Sequence, residues 1–375
     1  PTHSTPGSSS TNVQEELLRA AETGNHKLLM LSRAYSVEYE RAIADLEIEH
    51  VGLSDAQLES YLQDDTLSGL SSGQGADLLS LLRHHPSMFA MAHVPINLSL
   101  LCCFYANDVS SVADTIRQGS LPLLYKHLTE YLWSRYADNV PGLPDAGREY
   151  IFSMLGELAL SALRTGKILV DHDVLTRKFG IDLANQLLAL QTSYFLLLKF
   201  SGSTNQYQFP HLAFQEYFAA RCLADQLTSR DAATRSAGGR NFLDMCCYSR
   251  YGRTLSFVSG TLSEREGTVG IRRLLSLGAS IRESLAQTDY ALLHLRLLNE
   301  WLCISESAVI EAELPDLLAD YQTPGLLQAV YDAVLENADS DSYSDSDSHA
   351  YMVSYRQFTR SAHAFGFALQ YLPVY

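Results

Sequence analysis

Residues Phe209 to Ala224, Phe-Pro-His-Leu-Ala-Phe-Gln-Glu-Tyr-Phe-Ala-Ala-Arg-Cys-Leu-Ala, constrain the fold more than any other stretch of the chain. Pro210 marks a helix start. Phe214, Tyr217, Phe218 and Cys222 then recur at the spacing of one buried helical face. Gln215, Glu216, Arg221 and Asp225 lie off that stripe. His211 stands at the mouth of the helix, where unpaired backbone N–H groups and the helix dipole favour an anion. An apolar core helix has no need of an imidazole there, whereas a phosphate site can use one. A plainer reading stands beside it, in which His211 bonds only to local backbone.

The chain has 375 residues, enough for two or three domains with their own cores. Its net charge of −16 argues against a nucleic-acid-binding surface, which needs clustered Lys and Arg. One bound nucleotide, in contrast, needs only a local nest of donors. The six cysteines comprise the pairs Cys102-Cys103 and Cys246-Cys247 with Cys222 and Cys303. They lie inside apolar helical runs without ligand-like spacing, so buried reduced thiols in a cytoplasmic protein are expected. No apolar run approaches the length of a membrane span and no signal peptide is visible.

Taken in order, residues 1–12 are rich in Ser, Thr, Pro and Gly and read as a disordered lead. In 13–53, a short helix at Val13–Glu22 and short apolar strands at Lys27–Leu31 and Leu46–Val51 follow the rhythm of a parallel α/β sheet. Two strands make no stable sheet alone, so this part is expected to be the tail of an α/β domain. The 54–138 region is helical: a capping box at Ser54-Asp-Ala-Gln57 opens a helix to Leu62. Helices at Gly75–His84, Asn97–Tyr105 (introduced by Val94-Pro95) and Ser120–Tyr136 follow. Pro141-Gly-Leu-Pro144 is the best internal boundary.

In 139–227 the pattern is three helices (Glu149–Leu163, Asp171–Phe179, Asp182–Thr192), a hairpin (Tyr194–Phe200 with Gln206–Phe209) and a fourth helix, which is a winged-helix plan. Residues 228–336 form a second helical domain, 337–350 an acidic Ser/Asp linker, and 351–375 one more helix.

Phe209-x-His-x-x-Phe-Gln-Glu-Tyr-x-Ala-Ala resembles the winged-helix signature of NACHT-type signalling NTPases, the STAND family that includes the NOD-like receptors of innate immunity. Three further segments fit that plan in order. Leu28-Leu-Met-Leu-Ser-Arg33 is similar to the sensor strand, with Ala34 where the family usually has Pro. Leu46–Ser54 with Tyr61 is similar to the next strand and helix, and His93-Val-Pro95 to Cys102 matches the Pro-containing helical-domain motif. The resemblance spans Gln14 to Leu227. It implies a mostly α fold with a remnant of a parallel P-loop sheet, a helical domain, a winged helix with one hairpin, and a further helical domain.

The resemblance also implies nucleotide-binding roles: His211 donating to the β-phosphate of ADP in a closed state, Arg33 sensing the terminal phosphate, and Pro95 packing on the adenine. Plainer readings stay open at each, an exposed loop arginine for Arg33 and a first-turn helix proline for Pro95. ADP/ATP, with Mg in a longer parent, is the implied cofactor. Protein partners and homo-oligomerisation in the ATP state are implied as well.

The chain itself lacks G-x-x-x-x-G-K-[ST], and its only Gly-Lys pair, Gly166-Lys167, sits in a helical context. No apolar strand ends in acids placed for Mg²⁺, so an efficient ATPase is not expected from these residues alone. His84-His85 and His172 have no ligand-spaced partners and read as loop histidines rather than a metal site. No nucleophile elbow is present, and Asp182–Thr192 carries no basic residue for DNA. A nucleotide-free helical scaffold for protein contacts, derived from such a module, is the alternative.

Overall fold

In a computed structural model the described residues are 52–137, 145–166, 170–180, 199–200, 206–209, 211–285 and 287–320. The chain divides into two units, Pro1–Val51 and Gly52–Tyr375, and every described residue belongs to the second. The expected sensor and second strands with Arg33, the Pro141–Pro144 break, the Asp182–Thr192 helix and everything beyond Asp320 lie outside the described residues.

The described residues are mostly helical. Ser54 opens α1 (Asp55–Gln63) as its spacing foretells. Ser54 Oγ accepts the Gln57 N–H at 3.3 Å while Gln57 Oε1 accepts the Ser54 N–H at 2.8 Å. There follow α2 (Asp65–Ser68), α3 (Ser72–His84), α4 (Pro86–Ala92), α5 (Pro95–Asn107), α6 (Val109–Gln118) and α7 (Leu121–Ala137). Pro86 and Pro95 open their helices at a position where a missing N–H breaks no helical bond. Sequence reasoning did not find α2, α4 or α6. In α6 the apolar residues are few, but Asp108 caps it through the Ser111 N–H at 3.0 Å, and Val112, Ala113 and Ile116 are buried.

After α8 (Asp145–Arg164) come β1 (Val170–Asp171), α9 (His172–Phe179), β2 (Lys199–Phe200) and β3 (Gln206–Gln208). The sheet runs β1-β3-β2, all antiparallel, with Lys199 opposite Gln208, Phe200 opposite Tyr207, and Val170 against Tyr207 from the other side. The hairpin pairing is present among the described residues, with 194–198 of the expected first strand outside them. The chain continues through α10 (Leu212–Leu227), α11 (Ala232–Cys246), a 3-10 turn at Ser249–Tyr251, α12 (Gly252–Glu266), α13 (Thr268–Ala279), α14 (Gln287–Ile304) and α15 (Ser307–Asp320).

Helix α10 is packed against α8, α11 and α12. Phe214, Tyr217, Phe218 and Cys222 are buried, as the stripe requires. Gln215 and Glu216, off that stripe, are buried too: with neighbours around it, the helix has no water-facing flank in its first turns. Close approach is set by small residues. A Cβ on Gly156 of α8 would lie 2.9 Å from the Phe218 carbonyl oxygen, and Ala219, Ala220 and Ala224 are all fully buried. Each buried Phe or Leu contributes roughly 1.5–3 kcal/mol by leaving water.

One continuous apolar core runs from Leu58 to Leu317. Its middle includes a seam between α7 and α12. There Pro122 fills the place a side chain at Gly260 would occupy, Lys126 pairs with Glu264, and Tyr125 meets Phe257 edge-on at 5.2 Å. The cysteines are all free thiols, but Cys103 and Cys247 are exposed, against the expectation of uniform burial. In each adjacent pair, successive residues turn by about a quarter of a helical circuit, so burying one exposes the other. No described helix is long and apolar enough to cross a membrane.

Candidate nucleotide-contact site

His211 is the N-cap of α10. Its backbone is extended (φ −145, ψ 148) and its Nδ1 accepts the Ala213 N–H at 3.2 Å, satisfying one of the helix's free donors. That bond fixes the neutral tautomer: with Nδ1 accepting, the ring proton sits on Nε2. The local-backbone reading of His211 therefore holds, and the imidazole is half-buried.

Pro95 is exposed at the first position of α5. The turn before it is tied down by His93. Its backbone carbonyl accepts the Leu53 N–H at 2.7 Å, its Nδ1–H donates to the Leu53 carbonyl at 2.5 Å, and its Nε2 lies 3.4 Å from Asp55 Oδ1. Gly52 sits at φ +91, with its missing Cβ facing the His93 carbonyl oxygen at 2.5 Å, so a side chain there meets both strain and a clash. Arg33 lies outside the described residues.

The first turns of α5 and α10 are linked through one residue of α7. Tyr125 hydroxyl donates to Asn97 Oδ1 at 2.8 Å, and its ring meets Phe214 edge-on at 5.2 Å. Beside it Arg253 of α12 donates to Glu216 at 3.1 Å. Burial raises the Glu216 carboxyl above the usual carboxylate range while the guanidinium opposes that rise, and the negative charge of Glu216 in turn raises Arg253. Burial also pushes the Tyr125 and Tyr217 phenols up, so both stay neutral donors.

Sequence reasoning missed Tyr125 and the Glu216–Arg253 pair. The first had a signal, since Leu121, Tyr125, Leu128 and Leu132 recur at helical spacing. The second had none, because Arg253 comes from a helix far along the chain. His84 ends α3 with Nδ1 2.7 Å from the Ser80 carbonyl, and His172 opens α9, so both are helical rather than loop residues. Among the described residues no group of three His, Cys, Asp or Glu is placed to hold a metal.

A scan against protein-family models finds no match, and no curated protein matches the chain.

Proposed function

We propose that the chain is part of a nucleotide-dependent signalling switch of the NACHT type, in which a winged helix closes on bound ADP and exchange for ATP releases it toward oligomerisation. The observation that carries this reading is the His211 cap. The cap holds the imidazole at the N-terminus of α10, where the N–H groups of the first turn and the helix dipole favour a phosphate. Pro95, exposed at a helix start, offers an apolar ring against which a base could pack. Arg33 and the remnant of a P-loop sheet enter on the sequence resemblance alone, as do the winged helix as a unit and cytoplasmic location.

Bound ADP supplies the phosphate charge on which such a latch closes. His211 would hold the β-phosphate end and Pro95 the base end. The switch works through differential affinity: a latch that holds ADP and ATP equally well shifts nothing. The test is equilibrium binding of ADP and ATP to the chain, expressed with its flanking coding sequence, in wild type, His211→Ala and His211→Asn. Asparagine keeps a capping acceptor but lacks the imidazole. Both variants should weaken ADP roughly 10- to 100-fold and ATP less, the loss expected of a hydrogen bond to a charged group. ADP binding unchanged in His211→Asn sinks the assignment.

The second reading, a nucleotide-free helical scaffold for protein partners, draws on the unbroken core from Leu58 to Leu317, which suits one rigid body better than parts that separate. A folded chain that binds neither nucleotide with its flanking sequence present would favour it.

A further inference from the structure

Tyr125 is 1% exposed and reaches two helix starts with different parts of one side chain. Its hydroxyl donates to Asn97 Oδ1 at 2.8 Å, and Asn97 Nδ2 donates onward to the Met91 carbonyl at 3.3 Å. Both ends of the Asn97 amide are thereby used and its orientation is set. The Met91 carbonyl also accepts the Val94 N–H at 3.2 Å. The turn from Met91 to Asn97, with Pro95 on its exposed side, is thus held from within by the phenol.

The ring does the other half of the work. It meets Phe214, in the first turn of α10, at 5.2 Å and 70°, Phe257 of α12 at 5.2 Å, and Tyr217 at 6.1 Å. Asn97, Phe214, Tyr217 and Phe257 are each no more than 3% exposed. In such packing a ring cannot slide to follow one neighbour without disturbing the others. Nor can the hydroxyl leave Asn97 without stranding a buried donor, which costs more than the bond is worth in water.

We infer that Tyr125 is a positioning residue that couples the turn bearing Pro95 to the helix start bearing His211, so that a disturbance at either is felt at the other. The purpose of this coupling rests on the nucleotide reading of those two residues; the coupling itself is a property of the packed helices. The hydroxyl is the coupling element on the α5 side and the ring on the α10 side, so the two are separable by substitution. Tyr125→Phe keeps the ring and cuts the link to Asn97. Asn97→Ala cuts the same link from the other end.

The experiment is amide hydrogen exchange on the nucleotide-free chain, read at residues 98–101 of α5 and 214–217 of α10. His211→Ala removes the α10 cap and loosens 214–217 directly. In an otherwise wild-type chain it should also speed exchange at 98–101 roughly fivefold, the opening expected when one buried hydrogen bond is released. In the Tyr125→Phe or Asn97→Ala background that distant effect should vanish while the local one persists. A His211→Ala effect confined to α10 in every background overturns the inference, and so does one that reaches α5 equally without the hydroxyl. No nucleotide is present in any arm, so failure of ADP binding leaves this result standing and the reverse holds too.

Discussion

Ser120 Oγ donates to Glu300 Oε2 at 3.4 Å, joining the start of α7 to the C-terminal part of α14 across 180 positions of the chain. Glu300 is 5% exposed, and burial lifts its carboxyl to about 8, with Ser120 opposing the rise only weakly. Cys303, one turn along, is pushed up to about 12 by burial and by the neighbouring carboxylate. Glu300 thus stands at neutral pH as a buried acid in its protonated form.

A carboxyl whose folded value lies above its unfolded value binds a proton more tightly when folded, so its contribution is present at low pH and lost as pH rises to the folded value. Unfolding temperature should therefore carry a falling component between about pH 4.5 and 8, the unfolded and folded values of Glu300. His294, lowered to about 4 by burial, contributes with the opposite sign in the acid part of that range. Comparison of wild type with Glu300→Gln by calorimetry isolates the first term: the variant should fall less steeply and overtake wild type above pH 8. Parallel profiles would rule this out.

Glu216 and Arg253 should behave asymmetrically. Glu216 is deeply buried whereas the Arg253 side chain is 42% exposed, so solvent screens part of the attraction. Arg253→Met leaves the carboxyl buried without its donor and should cost about 1–3 kcal/mol. The double variant Glu216→Leu with Arg253→Met should recover to within about 1 kcal/mol of wild type. Urea denaturation of the four-member cycle gives both numbers, and additivity of the single losses would contradict the coupling.

Two mid-helix glycines should respond to alanine with opposite signs. At Gly260 of α12 a Cβ would stand 2.3 Å from Pro122 Cγ, so Gly260→Ala forces the α7–α12 seam apart and should cost about 1–3 kcal/mol. At Gly239 of α11 the nearest atom is Leu277 Cδ2 at 3.8 Å, an ordinary contact. Gly239→Ala should stabilise by about 0.5–1 kcal/mol through helix propensity. Midpoints of denaturation decide both.

Local signals carried most of what the sequence made legible. The Ser54 capping box, the helix-opening Pro95, the buried Phe214–Cys222 stripe and the hairpin pairing across Phe200 and Tyr207 all rest on residues within a few positions of one another. What escaped was set by partners distant in the chain. Glu216 looks like a surface acid until Arg253 is brought beside it, and Glu300 looks like one until Ser120 is. Cys103 and Cys247 were misjudged because an apolar run says that a helix is buried without saying which of two adjacent positions turns inward. Of the three nucleotide-contact candidates, His211 and Pro95 stand where helix-start chemistry puts them, and Arg33 lies outside the described residues.

The encirclement of α10 has a consequence for how the polypeptide tolerates being cut. A helix wrapped by α8, α11 and α12 is shared wall to all three, so a fragment ending at Phe209 would bare greasy surface on α8, and one beginning at Thr228 would bare it on α11 and α12. Proteases should nick this stretch only after the whole assembly has melted, and pieces divided there should precipitate rather than fold.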